Sequence, residues 1–284
     1  MANKSILTHS ERKKQNIAIA IMIIVILPIA FMFIVFFGMA FFDGNGNFTL
    51  DNFQFLYQPM QLRDQTTIPA IGPAFKNSVI FTVCVTLAEV TIALLAGYAL
   101  SRLDFKGKKT ITSSLLVLRM FPTLLLLIAV LYVLMSLKIV NSLFGLVLVA
   151  LTFRLPGSVF IIRNFFDGIP REIENSTLVD GCTRFSAFWQ VIIHLIKPGI
   201  VSITVFSFLS AWSNFILFNT LLFGNRTPVI ATYIRAITRS EQMIASYNVV
   251  AAMGLIYMLP VIVFFVISQK QLMEGNIGGG KGIA

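Results

Sequence analysis

The chain has 284 residues, of which 57% are hydrophobic and only 12% charged, with 27 Phe. That balance excludes a water-soluble globular domain and points to a polytopic membrane protein. The net charge of +10 would suit a nucleic-acid binder, but the basic residues follow the membrane topology set out below. Two cysteines are present, Cys84 in an apolar run and Cys182 in a polar one. They fall in different environments, so no disulfide is expected, and their spacing matches no metal site.

Residues 1–16 form a polar, basic tail, and Ile17–Phe42 follows without a charge. The run is too long for a signal peptide and lacks a small-residue cleavage site, so it reads as a retained span. Further apolar runs cover Asn77–Leu100, Ile111–Leu137, Ser142–Ile162, Gly199–Phe223 and Val249–Ser268. Each approaches or exceeds the ~20 residues that cross a bilayer as a helix, giving six transmembrane helices within 17–268. Pro28, Pro122, Pro156 and Pro260 lie inside these runs. Such prolines are tolerated where neighbours satisfy the freed carbonyls, and Pro122 and Pro156 are expected to kink their helices.

Orientation comes from Lys and Arg. With the amino terminus inside, fourteen of the 22 basic residues fall in inside segments, six in outside segments, and Arg119 and Arg154 within spans. Both termini are therefore expected in the cytoplasm, and the bias accounts for most of the basic excess. Two long segments, Asp43–Lys76 and Gly224–Asn248, face outside and could meet an extracytoplasmic partner. Asn47-Phe48-Thr49 and Asn225-Arg226-Thr227 fit the glycosylation sequon by chance composition.

The cytoplasmic segment 163–198 has an internal plan. Pro170 suits the start of a helix, and Glu172 and Glu174 follow where acids complement the helix dipole. Gly181 is placed to stop that helix. Thr183 can cap a second one, with Phe185, Phe188 and Trp189 at i, i+3, i+4 on one face. A helix, a glycine turn and a second helix on the membrane surface would offer a docking face.

Pro170, Glu172, Ile173, Val179, Asp180 and Gly181 resemble, in register, the Pro-x-Glu-Leu-x-(Glu-Ala-Ala)-x-x-Asp-Gly pattern of the permease subunits of ABC importers. Asn175-Ser176-Thr177 stand where Glu-Ala-Ala is found, and Val191-x-Ile193-His194 where Ile-x-Leu-Pro is found. The likeness extends through Gly97–Thr110, FTLDNFQFLY, Trp212-Ser213-Asn214-Phe215 and the Gly-rich ending, and is nearest to the maltose-type inner subunit. It implies an all-α, six-helix permease whose 163–198 loop is a coupling helix in a cleft of an ATPase subunit. Glu172, Glu174, Asn175, Thr177, Asp180, Gly181 and Arg184 would make that contact. Gly278, Gly279, Gly280 and Lys281, in the 269–284 tail, would touch the ATPase as well. The partners implied are a second homologous permease subunit, an ATPase dimer, a sugar-binding protein outside the membrane and lipid. The implied location is a bacterial inner membrane.

Gly275–Lys281 also fits GxxxxGK, but a phosphate loop needs Ser or Thr next, a preceding strand and a following helix. Residue 282 is Gly and an apolar helix precedes. No nucleotide site, catalytic pair or metal cluster is therefore expected. ATP and magnesium would bind the partner ATPase, and the chain would be a transport subunit and not an enzyme. Glu89, Arg119 and Arg154 lie within spans, where ionisable residues face the bundle interior or a watery cavity. At ~1.5 Å per residue all three fall in one layer. They would form either an ion-paired brace between the second, third and fourth spans or a polar wall of the path, with Trp212 and Asn214 as further candidates there. A wall with surplus positive charge would favour an acidic or phosphorylated sugar. A secondary transporter is the rival class, but repeated halves and midplane ion sites are not seen.

Overall fold

The computed structural model describes residues 9–43, 45–61, 67–223, 227–240 and 247–279. Among these residues the fold is all-α apart from a two-stranded antiparallel ribbon, β1 (Met60–Gln61) with β2 (Thr67–Ile68). Among the described residues four helices are long and apolar enough to cross a membrane, and the count reaches six if each of two bent helix pairs is one span.

Helix α1 (His9–Phe41) is hydrophobic all round, and none of its most apolar stretch is buried by the rest of the chain. A helix of that kind suits lipid or another subunit. Its end is tied down by Asn52, whose Nδ2 donates to Ala40 O and Phe42 O from a 3₁₀ turn at Asp51–Leu56. Asp43 caps the intervening loop by accepting from the backbone N–H groups of Asn45 and Asn47. Those amides, that of Asn47 foremost, hold its carboxyl below the usual carboxylate range.

Helices α2 (Gly72–Arg102) and α5 (Leu143–Asp167) form the axis of the bundle. They run parallel, with Glu89 beside Arg154, Gly97 against Ile162 and Ser101 beside Asp167. A Cβ on Gly97 would stand 2.8 Å from the Ile162 side chain and 3.1 Å from the Arg163 nitrogen. Close backbone approach of this kind holds helices together in lipid, where apolar burial drives little association.

Between them, the run expected as one span at 111–137 is broken. Helix α3 (Lys108–Leu118) meets α4 (Thr123–Ser136) at 103°. Pro122 has no N–H to donate and disfavours helix in the residue before it, so the chain turns over Arg119–Pro122. Pro156, by contrast, is carried inside α5 without a break. Ser142 caps α5 by accepting from Gly145 N at 3.0 Å.

Beyond α5 come α6 (Arg171–Val179), α7 (Arg184–Ala187), a π-helical turn (Phe188–Ile192) and α8 (Ile193–Leu195). Helix α9 (Lys197–Trp212) leaves this stretch at 76°. The run expected at 199–223 is also interrupted, at Ser213-Asn214, where Asn214 Oδ1 caps α10 (Phe215–Leu221) by accepting from Leu217 N. Helix α11 (Ile230–Ser240) buries Tyr233 and Ile237 against Phe55 and Ala251–Met253. That burial pushes the Tyr233 phenol up to about 12. Helix α12 (Tyr247–Gly279) packs on α1 and α9, with Gly254 lying under the Phe36 ring.

Candidate functional site

Two polar assemblies stand out, one at the end of the bundle where α2 and α5 finish and one in its middle. The first fastens the segment after α5. Pro170 is extended and opens α6, Gly181 takes φ +89° where α6 stops, and Thr183 Oγ1 accepts from Ser186 N to start α7. Between these punctuation marks lies Glu174, buried on the inner face of α6. Its carboxylate pairs with Arg102 Nε at 3.2 Å and accepts from Tyr98 OH at 2.7 Å, both from α2. Arg102 is itself buried and donates through Nη2 to Phe166 O at 2.9 Å and Ile169 O at 2.8 Å. Ser101 Oγ donates to Asp167 Oδ1 at 2.5 Å, and Arg163 pairs with the same carboxylate at 3.3 Å. One arginine thus collects a carbonyl from the end of α5, a carbonyl from just beyond it and the acid of α6, and α6 is clamped to the end of α2.

The aromatic residues expected on one face are divided. Phe188, where the π turn begins, is buried against Tyr98 (centroids 4.7 Å apart) and Phe166 (6.2 Å). Phe185 and Trp189 stay outside, stacked edge to face at 6.2 Å. The outward surface therefore carries Ile173, Val179, Phe185 and Trp189 among Glu172, Asn175, Asp180, Gly181 and Arg184. Val179 is 87% exposed and Phe185 72%, an apolar display that a solvated loop has no reason to keep. Thr177 is half-buried and donates to Glu174 O.

The second assembly centres on Glu89, which is 1% exposed. Its carboxylate accepts from Arg154 Nε at 2.6 Å, from Ser207 Oγ of α9 at 2.6 Å and from Ser158 Oγ. Arg154 completes its donors on Ser210 Oγ and Phe206 O. The ion pair therefore joins α2, α5 and α9, and not the α3–α4 span. Arg119, expected as a member of one layer with them, is exposed at the α3–α4 bend and makes no ion pair among the described residues. It lines a cavity of about 350 Å³ together with Glu89, Arg154, Ser158 and Ser210. Trp212 and Asn214 lie elsewhere. Trp212 is buried, stacks on Tyr257 at 5.6 Å and donates Nε1–H to Tyr257 O, fastening α9 to α12. Asn214 serves as the helix cap described above. In the tail, Gly278 and Gly279 belong to α12, while Gly280 and Lys281 lie outside the described residues.

The model of the family "Binding-protein-dependent transport system inner membrane component" matches residues 89–273, from the buried glutamate through most of the last helix. The chain belongs to this family. It is a multi-pass permease of a binding-protein-dependent importer. The permease is 30% identical over 204 residues to the diacetylchitobiose uptake system permease protein DasC of Streptomyces coelicolor, covering 72% of this chain and 73% of that one. It is 31% identical over 205 residues to the sulfoquinovosyl glycerol transport system permease protein SmoH of Agrobacterium fabrum, covering 72% and 71%. Its fold matches a solved bacterial ABC transporter involved in the import of the acidic polysaccharide alginate, with a TM-score of 0.77 at 17% identity, over 94% of this chain and 99% of that one.

Residues that sequence reasoning left without a role are Tyr98, Ser101 and Arg102. They fall in the segment Gly97–Thr110 that carries part of the family likeness, which was the available signal. Ser158, Ser207 and Ser210 gave no signal, since isolated serines in apolar helices commonly bond to their own backbone.

Proposed function

We propose that the permease carries a saccharide into the cytoplasm, with ATP bound and hydrolysed on separate ATPase subunits and the sugar delivered by a binding protein outside. The termini and α6–α8 face the cytoplasm in this reading, supported by the distribution of Lys and Arg. A second permease subunit completes the path. The saccharide class is supported by the relatives, which are named for the uptake of diacetylchitobiose and of sulfoquinovosyl glycerol.

The observation that carries the proposal is the clamp of α6 onto α2 through Glu174, Arg102 and Tyr98. A short helix pair held this firmly to a membrane helix, yet displaying Val179 and Phe185 outward, is built to receive force from a docked partner. Asn175, Asp180, Gly181 and Arg184 sit on the outward surface and would meet the ATPase cleft, and Glu174 would transmit the movement inward.

Single cysteines at 173, 175, 179 and 185 should crosslink to the ATPase subunit in assembled transporter and not to the binding protein. Crosslinks only to the external protein would reverse the orientation. At Gly181 a Cβ has open space within this chain but must adopt φ +89°, which costs an L-residue about 1–2 kcal/mol. Gly181→Val should therefore insert and fold while uptake falls several-fold, because the bulk projects into the docked partner. Asn175→Ala should be milder. Normal uptake by Gly181→Val would remove this turn from the contact.

A further inference from the structure

We propose that Arg119 reads the charge of the transported sugar, so that the path through this subunit favours saccharides bearing a carboxylate, sulfonate or phosphate. The inference rests on the saccharide reading above and adds to it the sign of the substrate, which the relatives leave open.

Four observations lead to it. Glu89 and Arg154 neutralise one another, and each guanidinium nitrogen of Arg154 has a partner in Glu89, Ser210 or Phe206 O. Arg119 is the cation left over: among the described residues no carboxylate lies within ion-pair distance of it. Its position is fixed by the fold. Pro122 forces the bend that carries Arg119 off the end of α3, and the guanidinium lies over Gly157 of α5, where a Cβ would stand 3.6 Å from Nε and 3.7 Å from Cζ. The guanidinium thus rests at van der Waals distance against the α5 backbone at Gly157. Finally, the same side chain borders the 350 Å³ cavity walled on its other sides by Phe153, Ile161, Ile203 and Phe206, an apolar cup with a few convergent polar groups, the usual build of a ligand site.

Depth argues for a watery path and against lipid. Arg119 follows eleven residues of α3, and Gly157 is ten residues short of the end of α5. Both distances come to about 15–17 Å at the helix rise, half of a ~30 Å hydrocarbon core. A guanidinium at that depth faces a bundle interior or a water-filled cavity. The cluster as a whole carries one surplus positive charge, and Arg119, its exposed member, presents that charge to the path. A planar guanidinium also matches carboxylate, sulfonate and phosphate oxygens by two parallel hydrogen bonds.

The test uses the whole transporter in proteoliposomes with its own binding protein. Maltotriose and N,N′-diacetylchitobiose serve as neutral probes, and trigalacturonate and sulfoquinovosyl glycerol as anionic ones. The binding protein should take at least one anionic probe. Arg119→Gln should then lower uptake of that probe at least tenfold, Arg119→Lys should recover part of it, and uptake of any neutral probe, assembly and Tm should stay as in the wild type. Equal loss for neutral and anionic probes, or dissociation of the complex by Arg119→Gln, would show that Arg119 pairs with the second permease subunit and overturn the proposal. Uptake restricted to neutral probes would overturn it too. A binding protein that takes no saccharide of either kind overturns the saccharide reading itself, and is thereby told apart from these outcomes.

Discussion

Glu174→Ala should disconnect hydrolysis from transport. The substitution leaves Arg102 buried without its acid and Tyr98 OH without its acceptor. Breaking a buried pair by removing one partner costs about 3–5 kcal/mol, and an orphaned buried hydroxyl adds about 1–3 kcal/mol. The bundle need not unfold to escape this cost, because α6 can lift away from α2 and let water in. The expected result is a transporter that assembles, hydrolyses ATP at an unchanged or raised rate, and moves substrate at least tenfold more slowly, with new protease sensitivity between residues 170 and 185. Replacing both partners (Arg102→Met with Glu174→Met) should recover stability only in part, since Arg102 also holds the carbonyls of Phe166 and Ile169. Tight coupling in Glu174→Ala would mean that the clamp plays no part in transmission.

Glu89→Gln should act on assembly instead. Arg154 would keep Ser210 and Phe206 O but lose its counter-charge, and Ser158 and Ser207 would face an amide in place of a carboxylate. Arg154 retains some access to the cavity, its side chain being 17% exposed, so the loss should fall toward the lower end of the 3–5 kcal/mol range. A thermal scan of the purified complex should show it as a lowered Tm and a smaller yield of intact transporter. The double variant Glu89→Gln with Arg154→Gln should regain most of that loss, and the coupling between the two sites is then read from the cycle. Equal losses in the single and double variants would show that Glu89 is not held there by Arg154. Arg119→Gln, in contrast, should leave Tm unmoved.

Sequence patterning was most informative where local chemistry decides the outcome. Pro170, Gly181 and Thr183 act on their own neighbours, and the positions of α6 and α7 follow from them. The broken spans were harder. The apolar runs on either side of Arg119–Pro122 and of Ser213-Asn214 average to one span each, and averaging hides a bend that depends on one proline or one capping Asn. Partners distant in sequence were the least legible. Glu174 has the composition of a surface acid in the first turn of a helix; its inward face is set by Tyr98 and Arg102 on another helix. The choice between Arg119 and Arg154 as partner of Glu89 likewise turned on which helix lies beside α2, and equal depth could not make it.

Helix α2 joins the two assemblies without a break, with Glu89 held at its middle and Arg102 at its end. Mechanically it is a beam with a fulcrum. From Glu89 to Arg102 the arm is about 20 Å, and from Glu89 back to Gly72 about 25 Å, at the rise of an α-helix. A push delivered at α6 would therefore reappear reversed in direction on the far arm, at nearly its full size where Asn77 and Ser78 lie about 17–18 Å from Glu89, with no helix unwound. The far end carries Asn77 and Ser78, whose side chains bond to Pro228 O and Ile230 N at the start of α11. A few ångströms of travel at one surface of the membrane would thus swing the ledge on which α11 rests at the other.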